Sequence, residues 1–114
     1  MEFIEIPLKL LAMKKVKITA IRKVSHDDLA AKYERSKDFE CKIKEGEVWI
    51  SENGERPAGL CDWAWEIMEL YVKTLARGKG DFFDDWMKDR YSAMISCPDG
   101  FRPVTFYIEA IEDC

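Results

Sequence analysis

The chain has 114 residues, and its 22 acidic and 18 basic side chains give a net charge of −4 at pH 7. This length predicts one domain, since a domain averages about 150 residues, and the acidic balance argues against nucleic acid binding through overall charge. A hydrophobic content of 47% with only six Gly and four Pro excludes disordered and collagen-like chains.

The first twelve residues are apolar but are interrupted by Glu5, Pro7 and Lys9. They are too short to cross a bilayer, which needs about 20 apolar residues, and they lack the basic start and cleavage site of a signal peptide. We therefore interpret residues 1–12 as an N-terminal extension and residues 13–114 as a single α+β domain. The same reasoning predicts a cytoplasmic protein that does not bind membranes.

Apolar and polar residues alternate over residues 14–24, which predicts a half-buried strand. The residues predicted to face inward are Val16, Ile18, Ala20 and Val24. Ser25 is then expected to be the N-cap of a short helix. The residues expected to be buried on this helix are Leu29, Ala30 and Tyr33.

A second strand is predicted at residues 47–50, and a long helix near residues 61–77. Asp62 is the expected N-cap of this helix, and Gly78 follows its end. Apolar residues recur along it at the spacing of one helix face. They are Ala64, Ile67, Met68, Tyr71 and Leu75.

Two further strands at residues 92–97 and 104–109 predict a C-terminal hairpin. The sequence Pro98-Asp99-Gly100 suits a type I turn, with Gly100 in the left-handed conformation. The element order is therefore β-α-β-α-β-β. It predicts an α+β fold with a mainly antiparallel sheet of three or four strands and one long helix on one face.

Four cysteines are widely spaced along the chain, at Cys41, Cys61, Cys97 and Cys114. Without a secretory signal we expect reduced thiols, with Cys114 exposed. Zinc takes four Cys or His ligands, so one hypothesis is a site made by His26 and the first three cysteines. Zinc sites usually contain closely spaced Cys pairs, and free Cys is often buried, so packing is favoured and no metal is predicted.

Cys61 has a second interpretation, as a reactive thiol. The dipole and the unpaired N–H groups at a helix N-terminus favour a thiolate, whereas the neighbouring Asp62 opposes it. No second cysteine lies two residues away, and no histidine is clearly placed to act as its base. The sequence leaves this hypothesis open.

The loop before the last strand contains Arg102, whose planar fork suits a carboxylate or phosphate. Turn N–H groups beside it would assist in binding such an anion. In the competing interpretation the loop is an ordinary turn and Arg102 pairs with a nearby acid such as Asp62 or Asp99.

Aromatic residues are abundant around the long helix. Trp63 and Trp65 lie about 200° apart on a helix, so both cannot face one core. One of them would reach a ligand pocket, an oligomer interface or the connection at residues 78–90.

Two segments, Gly59-Leu60-Cys61-Asp62-Trp63-Ala64-Trp65 and Cys97-Pro98-Asp99-Gly100-Phe101-Arg102-Pro103-Val104, carry a resemblance to a known family. They resemble the signatures of a family of small uncharacterised proteins, chiefly from anaerobic bacteria and archaea. The resemblance runs from about Val16 to Glu112. Relatives tend to have Cys-Pro at the first cysteine, whereas Lys42 follows Cys41 here. The resemblance implies no activity or cofactor.

Two functional classes remain. The first is a homo-oligomeric binding or assembly module with a pocket for a small anion near Arg102. Its predicted ligand-binding residues are Cys61, Asp62, Trp63, Trp65, Cys97, Asp99 and Arg102. The second is a thiol- or metal-dependent enzyme or sensor centred on Cys61 and Cys97. In either class we expect Cys61, Cys97 and Arg102 on one side of the molecule, because the long helix must cover the sheet.

Overall fold

The computed structural model describes residues 13–35 and 41–111. Its strands are β1 (Lys15–Lys23), β2 (Val48–Ser51), β3 (Ser92–Ser96) and β4 (Val104–Ile111). Its helices are α1 (Asp27–Tyr33) and α2 (Asp62–Ala76). The α+β class and the predicted element order are confirmed. The predicted extension at residues 1–12 and the predicted exposed thiol of Cys114 lie outside the described residues.

The four strands form one antiparallel sheet in the order β2-β1-β4-β3. In the register, Ile18 of β1 lies opposite Trp49 of β2 and Ile108 of β4, and Ile108 lies opposite Ala93 of β3. These four buried residues make a continuous apolar row across the sheet. Such cross-strand neighbours stabilise a sheet and fix its register.

Helix α2 covers the face of the sheet on which this row lies, and the core fills the space between them. The buried residues of α2 are Ala64, Met68, Val72, Leu75 and Ala76. Ile67 and Tyr71, expected on this stripe, are only half-buried, because the buried face is centred one position further round the helix. No helix in the described part of the chain is long and apolar enough to cross a membrane.

Some local predictions are wrong for identifiable reasons. Val24 was predicted to face inward, but a register shift between Ala20 and Arg22 breaks the alternation and leaves Val24 exposed. On α1, His26 rather than Ser25 is the N-cap. Only Ala30 is buried on that helix, while Leu29 and Tyr33 are exposed.

The ends of two other predicted elements also differ. The N-cap of α2 is Cys61 rather than Asp62, so the helix begins with Asp62 in its first turn. Gly100 is not among the glycines in the left-handed conformation. Instead, the Asp99 carboxylate accepts a hydrogen bond from the Phe101 N–H at 2.9 Å, and this Asx turn shapes the loop between β3 and β4.

Candidate functional site

Three cysteines from separate segments line one small pocket, here called the thiol pocket. Cys41 precedes β2, Cys61 is the N-cap of α2, and Cys97 directly follows β3. They meet because the N-terminus of α2 lies over the edge of the sheet at which β3 ends and β4 begins. The remaining lining residues are Ile43, Trp63, Ala64, Pro98, Asp99, Arg102 and Val104. The expected placement of Cys61, Cys97 and Arg102 on one side is therefore observed.

Five of the seven predicted ligand-binding residues line the thiol pocket, and Asp62 and Trp65 do not. Asp62 instead forms an ion pair with Arg56. Trp65 packs half-buried against the core, whereas Trp63 is 58% exposed at the pocket rim. The two tryptophans therefore do face different surroundings, as their spacing predicts.

The three thiols differ in accessibility and in bonding, and none is in a disulfide. Cys61 is exposed and its side chain makes no capping hydrogen bond, although its carbonyl accepts the Trp65 N–H at 2.9 Å. Cys97 is half-buried, and its Sγ accepts a hydrogen bond from the Val104 N–H at 3.3 Å. Cys41 is also half-buried, and its carbonyl accepts the Lys23 ammonium at 2.7 Å. Cys61 is thus the accessible thiol of the three.

Arg102 has a carboxylate partner that sequence analysis did not identify. Its two terminal nitrogens donate to both oxygens of Glu34, at 3.0 and 2.8 Å. The pKa of Glu34 is lowered, first by this hydrogen bonding and also by the positive charge of Arg102. Pairing with an acid is therefore confirmed for Arg102, but Asp62 and Asp99 are the wrong partners.

This ion pair weakens the expectation of an anion site at Arg102. The fork expected to bind an external carboxylate or phosphate already holds the Glu34 carboxylate. The thiol pocket beside it has a volume of about 30 Å³. That is room for about one water molecule rather than for an organic anion.

A larger cavity of about 340 Å³ opens on the other side of Cys41 and Cys61, and is here called the Trp49 cavity. Its lining residues are Cys41, Lys42, Ile43, Glu47, Trp49, Gly59 and Cys61. Cys41, Ile43 and Cys61 also line the thiol pocket. The thiols of Cys41 and Cys61 therefore lie between the small thiol pocket and the larger Trp49 cavity. Sequence reasoning missed this cavity. The only signal was the Gly-x-Cys spacing at Gly59, which gave no indication of Trp49.

Trp49 is only 7% exposed, yet its ring nitrogen has no hydrogen-bond partner among the described residues. Every fully buried polar side-chain atom in that part of the chain has a partner, so the Trp49 Nε1 is not fully buried, and Trp49 lines the cavity. Gly59, with φ +85°, passes close by, and a Cβ there would lie 3.9 Å from Nε1. The cavity therefore has a hydrogen-bond donor in its floor.

The hypothesis that His26 joins the cysteines in a metal site is wrong for His26. This residue is exposed, its backbone N–H donates to the Phe101 carbonyl at 2.7 Å, and it does not line the thiol pocket. Within residues 13–35 and 41–111, no group of three or more His, Cys, Asp or Glu side chains is arranged to hold a metal ion.

A scan against protein-family models, a search of curated proteins and a search of solved structures found no match to this chain. The family resemblance of the two motifs therefore stays a prediction.

Proposed function

We propose that the protein is a thiol-dependent sensor or enzyme in which Cys61 is the reacting thiol. The observation that carries this proposal is the meeting of three cysteines from distant segments at one pocket. Packing alone explains one buried cysteine well, because free Cys behaves as a small apolar residue. It does not explain an exposed Cys61 that is left without a capping bond at the edge of two cavities.

The arrangement supports chemistry in two stages. An exposed cysteine attacks soft electrophiles and disulfides through its sulfur. A modified Cys61 then has further thiols beside it, and one of them can displace the modifying group by thiol–disulfide exchange. Cys97 is the less suitable of the two neighbours, because its sulfur already accepts the Val104 N–H.

Limited alkylation tests this assignment. Native protein treated with substoichiometric iodoacetamide should carry most of the label on Cys61, as peptide mapping would show. The Cys114→Ser variant removes the remaining thiol as a competitor, and Cys61→Ser should abolish the fast phase. Faster labelling of Cys41 or Cys97, or equal labelling of all three, would exclude Cys61 as the reacting thiol.

We also propose that the protein is cytoplasmic and self-associates. Reduced thiols are kept in reducing compartments, which supports the location. Trp63 is 58% exposed, and tryptophan is among the residues that dominate interface centres, which supports association.

A further inference from the structure

We propose that the Trp49 cavity binds a zwitterionic low-molecular-weight disulfide, which reacts with Cys61. This inference depends on the proposed thiol function and names the class of its substrate. The cavity volume of about 340 Å³ lies at the lower end of the range for small-molecule sites, which is roughly 300–1,000 Å³. It is therefore sized for a small metabolite.

The cavity is equipped to bind polar groups. The Nε1–H of Trp49 donates to no residue within 13–35 and 41–111, and the side chain is only 7% exposed, so a ligand acceptor in the cavity would give this donor a partner. Its ring is held in place by an edge contact with Phe106, at 6.1 Å between centroids. The donor therefore has a fixed direction before any ligand binds.

Two exposed side chains of opposite charge, Lys42 and Glu47, line the same cavity. Glu47 Oε1 accepts the Lys44 N–H at 3.1 Å, and Oε2 has no hydrogen-bond partner in the described part of the chain. Lys42 likewise forms no ion pair among those residues. A ligand carrying both a carboxylate and an ammonium group, as amino-acid-derived compounds do, matches this pair of charges.

The reactive groups that line the cavity are thiols, so a ligand that reacts there must contain a group that thiols attack, such as a disulfide. Cys61 attacks one sulfur of R–S–S–R, the S–S bond breaks, and one R–SH leaves with the proton from the Cys61 thiol. The product is a mixed disulfide, Cys61–S–S–R. Cys41, which lines the same cavity, then displaces the second R–SH and leaves a Cys41–Cys61 disulfide.

Three disulfides of different charge test this inference. Cystine carries both charges, cystamine only ammonium groups, and dithiodiglycolate only carboxylates. Each is mixed with the reduced Cys114→Ser protein, and adduct formation on Cys61 is followed by intact mass. The rate is divided by the rate of the same disulfide with 2-mercaptoethanol, an uncharged thiol, which removes differences in intrinsic reactivity. We expect cystine to react about fivefold faster than either probe that carries charges of one sign only, which is the rate gain expected from one additional exposed ion pair.

Substitutions in the cavity identify the source of this preference. Lys42→Gln should remove the preference for cystine over cystamine, and Glu47→Gln the preference over dithiodiglycolate. Both residues are exposed, so neither variant depends on repacking the core. Trp49→Phe replaces the indole with a phenyl ring that has no N–H donor, and it should slow the reaction with cystine.

The outcomes separate this inference from the proposed function. Equal normalised rates for the three disulfides, with Cys61 still alkylated first by iodoacetamide, would overturn the ligand assignment and leave the thiol function intact. Failure of Cys61 to be alkylated first would overturn both.

Discussion

The Arg102–Glu34 ion pair determines what the loop between β3 and β4 can do. The two residues are 68 positions apart in the chain, and their side chains are only 17% and 15% exposed. Two parallel hydrogen bonds connect the end of α1 to the loop that carries Cys97. The pair therefore fixes one wall of the thiol pocket and leaves the guanidinium fork occupied.

Replacing this carboxylate should change the pH dependence of stability. Because Arg102 lowers the pKa of Glu34 in the folded state, the pair stabilises the fold above the ordinary Glu pKa of 4.5. This stability is lost as the pH falls below that value towards the lower folded pKa. Glu34→Gln should therefore lower the Tm at pH 7, with a smaller difference from the wild type at acid pH.

Thermal unfolding of the wild type and of Glu34→Gln between pH 7 and pH 3 measures how the difference in Tm depends on pH. Glu47→Gln is the control, since Glu47 is exposed and has no ion pair within the described residues. A difference in Tm between Glu34→Gln and wild type that stays constant with pH would contradict the argument.

Gly80 should not tolerate a side chain. A Cβ at this position would clash with the Arg90 carbonyl oxygen, which is backbone and cannot move aside. We expect Gly80→Ala to destabilise the fold by about 2 kcal/mol or more. Gly100→Ala is the matched control, because nothing lies within 4 Å of its Cβ position and its φ is ordinary. Urea unfolding of the two variants gives the comparison, and equal stabilities would contradict it.

At the scale of elements, α2 connects the core to the candidate site. Its buried residues hold it on the sheet, and its N-terminus carries Cys61 to the two cavities. Cysteine is a poor choice for this position if stability alone matters, because its side chain makes no capping bond here. The Cys61 side chain therefore does not cap the first turn of α2.

Serine at position 61 should cap α2 better than the natural residue. We expect Cys61→Ser to be more stable than Cys61→Ala by about 1 kcal/mol, because the hydroxyl accepts an N–H of the first turn. Chemical denaturation of the two variants measures the contribution of the cap to the free energy of unfolding, because both variants lack the thiol. If they unfold at the same denaturant concentration, the cap hypothesis is wrong.

The packing of α2 predicts that substitutions at two nearby positions change the stability of the fold by very different amounts. Met68 is fully buried, and Leu70 is 71% exposed. Met68→Ala should lower the free energy of unfolding by about 2–5 kcal/mol, through lost burial and a residual cavity. Leu70→Ala should change it by less than about 0.5 kcal/mol. Similar losses at both positions, measured by urea unfolding, would mean that the helix faces are assigned wrongly.

At the scale of the whole molecule, α2 is the only described helix that packs on the sheet, and it covers one face. The opposite face carries exposed apolar side chains, which are Val48, Ile50 and Met94. Trp63, Phe83 and Trp86 add exposed aromatic surface elsewhere. A soluble monomer rarely exposes large contiguous apolar patches, so this surface supports the proposed self-association.

Light scattering at micromolar concentration should therefore give a mass of at least two chains. Ile50→Lys, which places a charge on the open face of the sheet, should shift the population towards the monomer. Leu70→Lys is the control at an exposed apolar position on the helix. A wild-type species of monomer mass alone would exclude self-association under these conditions.

The cysteine site was only partly predictable from the sequence. The motif residues Cys61, Cys97 and Arg102 were expected together, because a helix that covers a sheet brings its N-terminus near one sheet end. Cys41 joins them through a loop whose path has no periodic pattern to reveal it. Glu34 was missed as the partner of Arg102, because ion pairs across 68 positions leave no local signal.

The sequence by itself determined the elements, because periodicity and turn residues act over a few neighbouring positions. The alternation in β1, the helical spacing in α2 and the order of elements all follow from such local patterns. Only the tertiary structure decided what these elements bring together: the pairing of Arg102 with Glu34, the meeting of three thiols, and the cavity above Trp49. These features depend on strand order, on the register shift in β1 and on loop paths, and each of these is set by contacts between residues far apart in the chain.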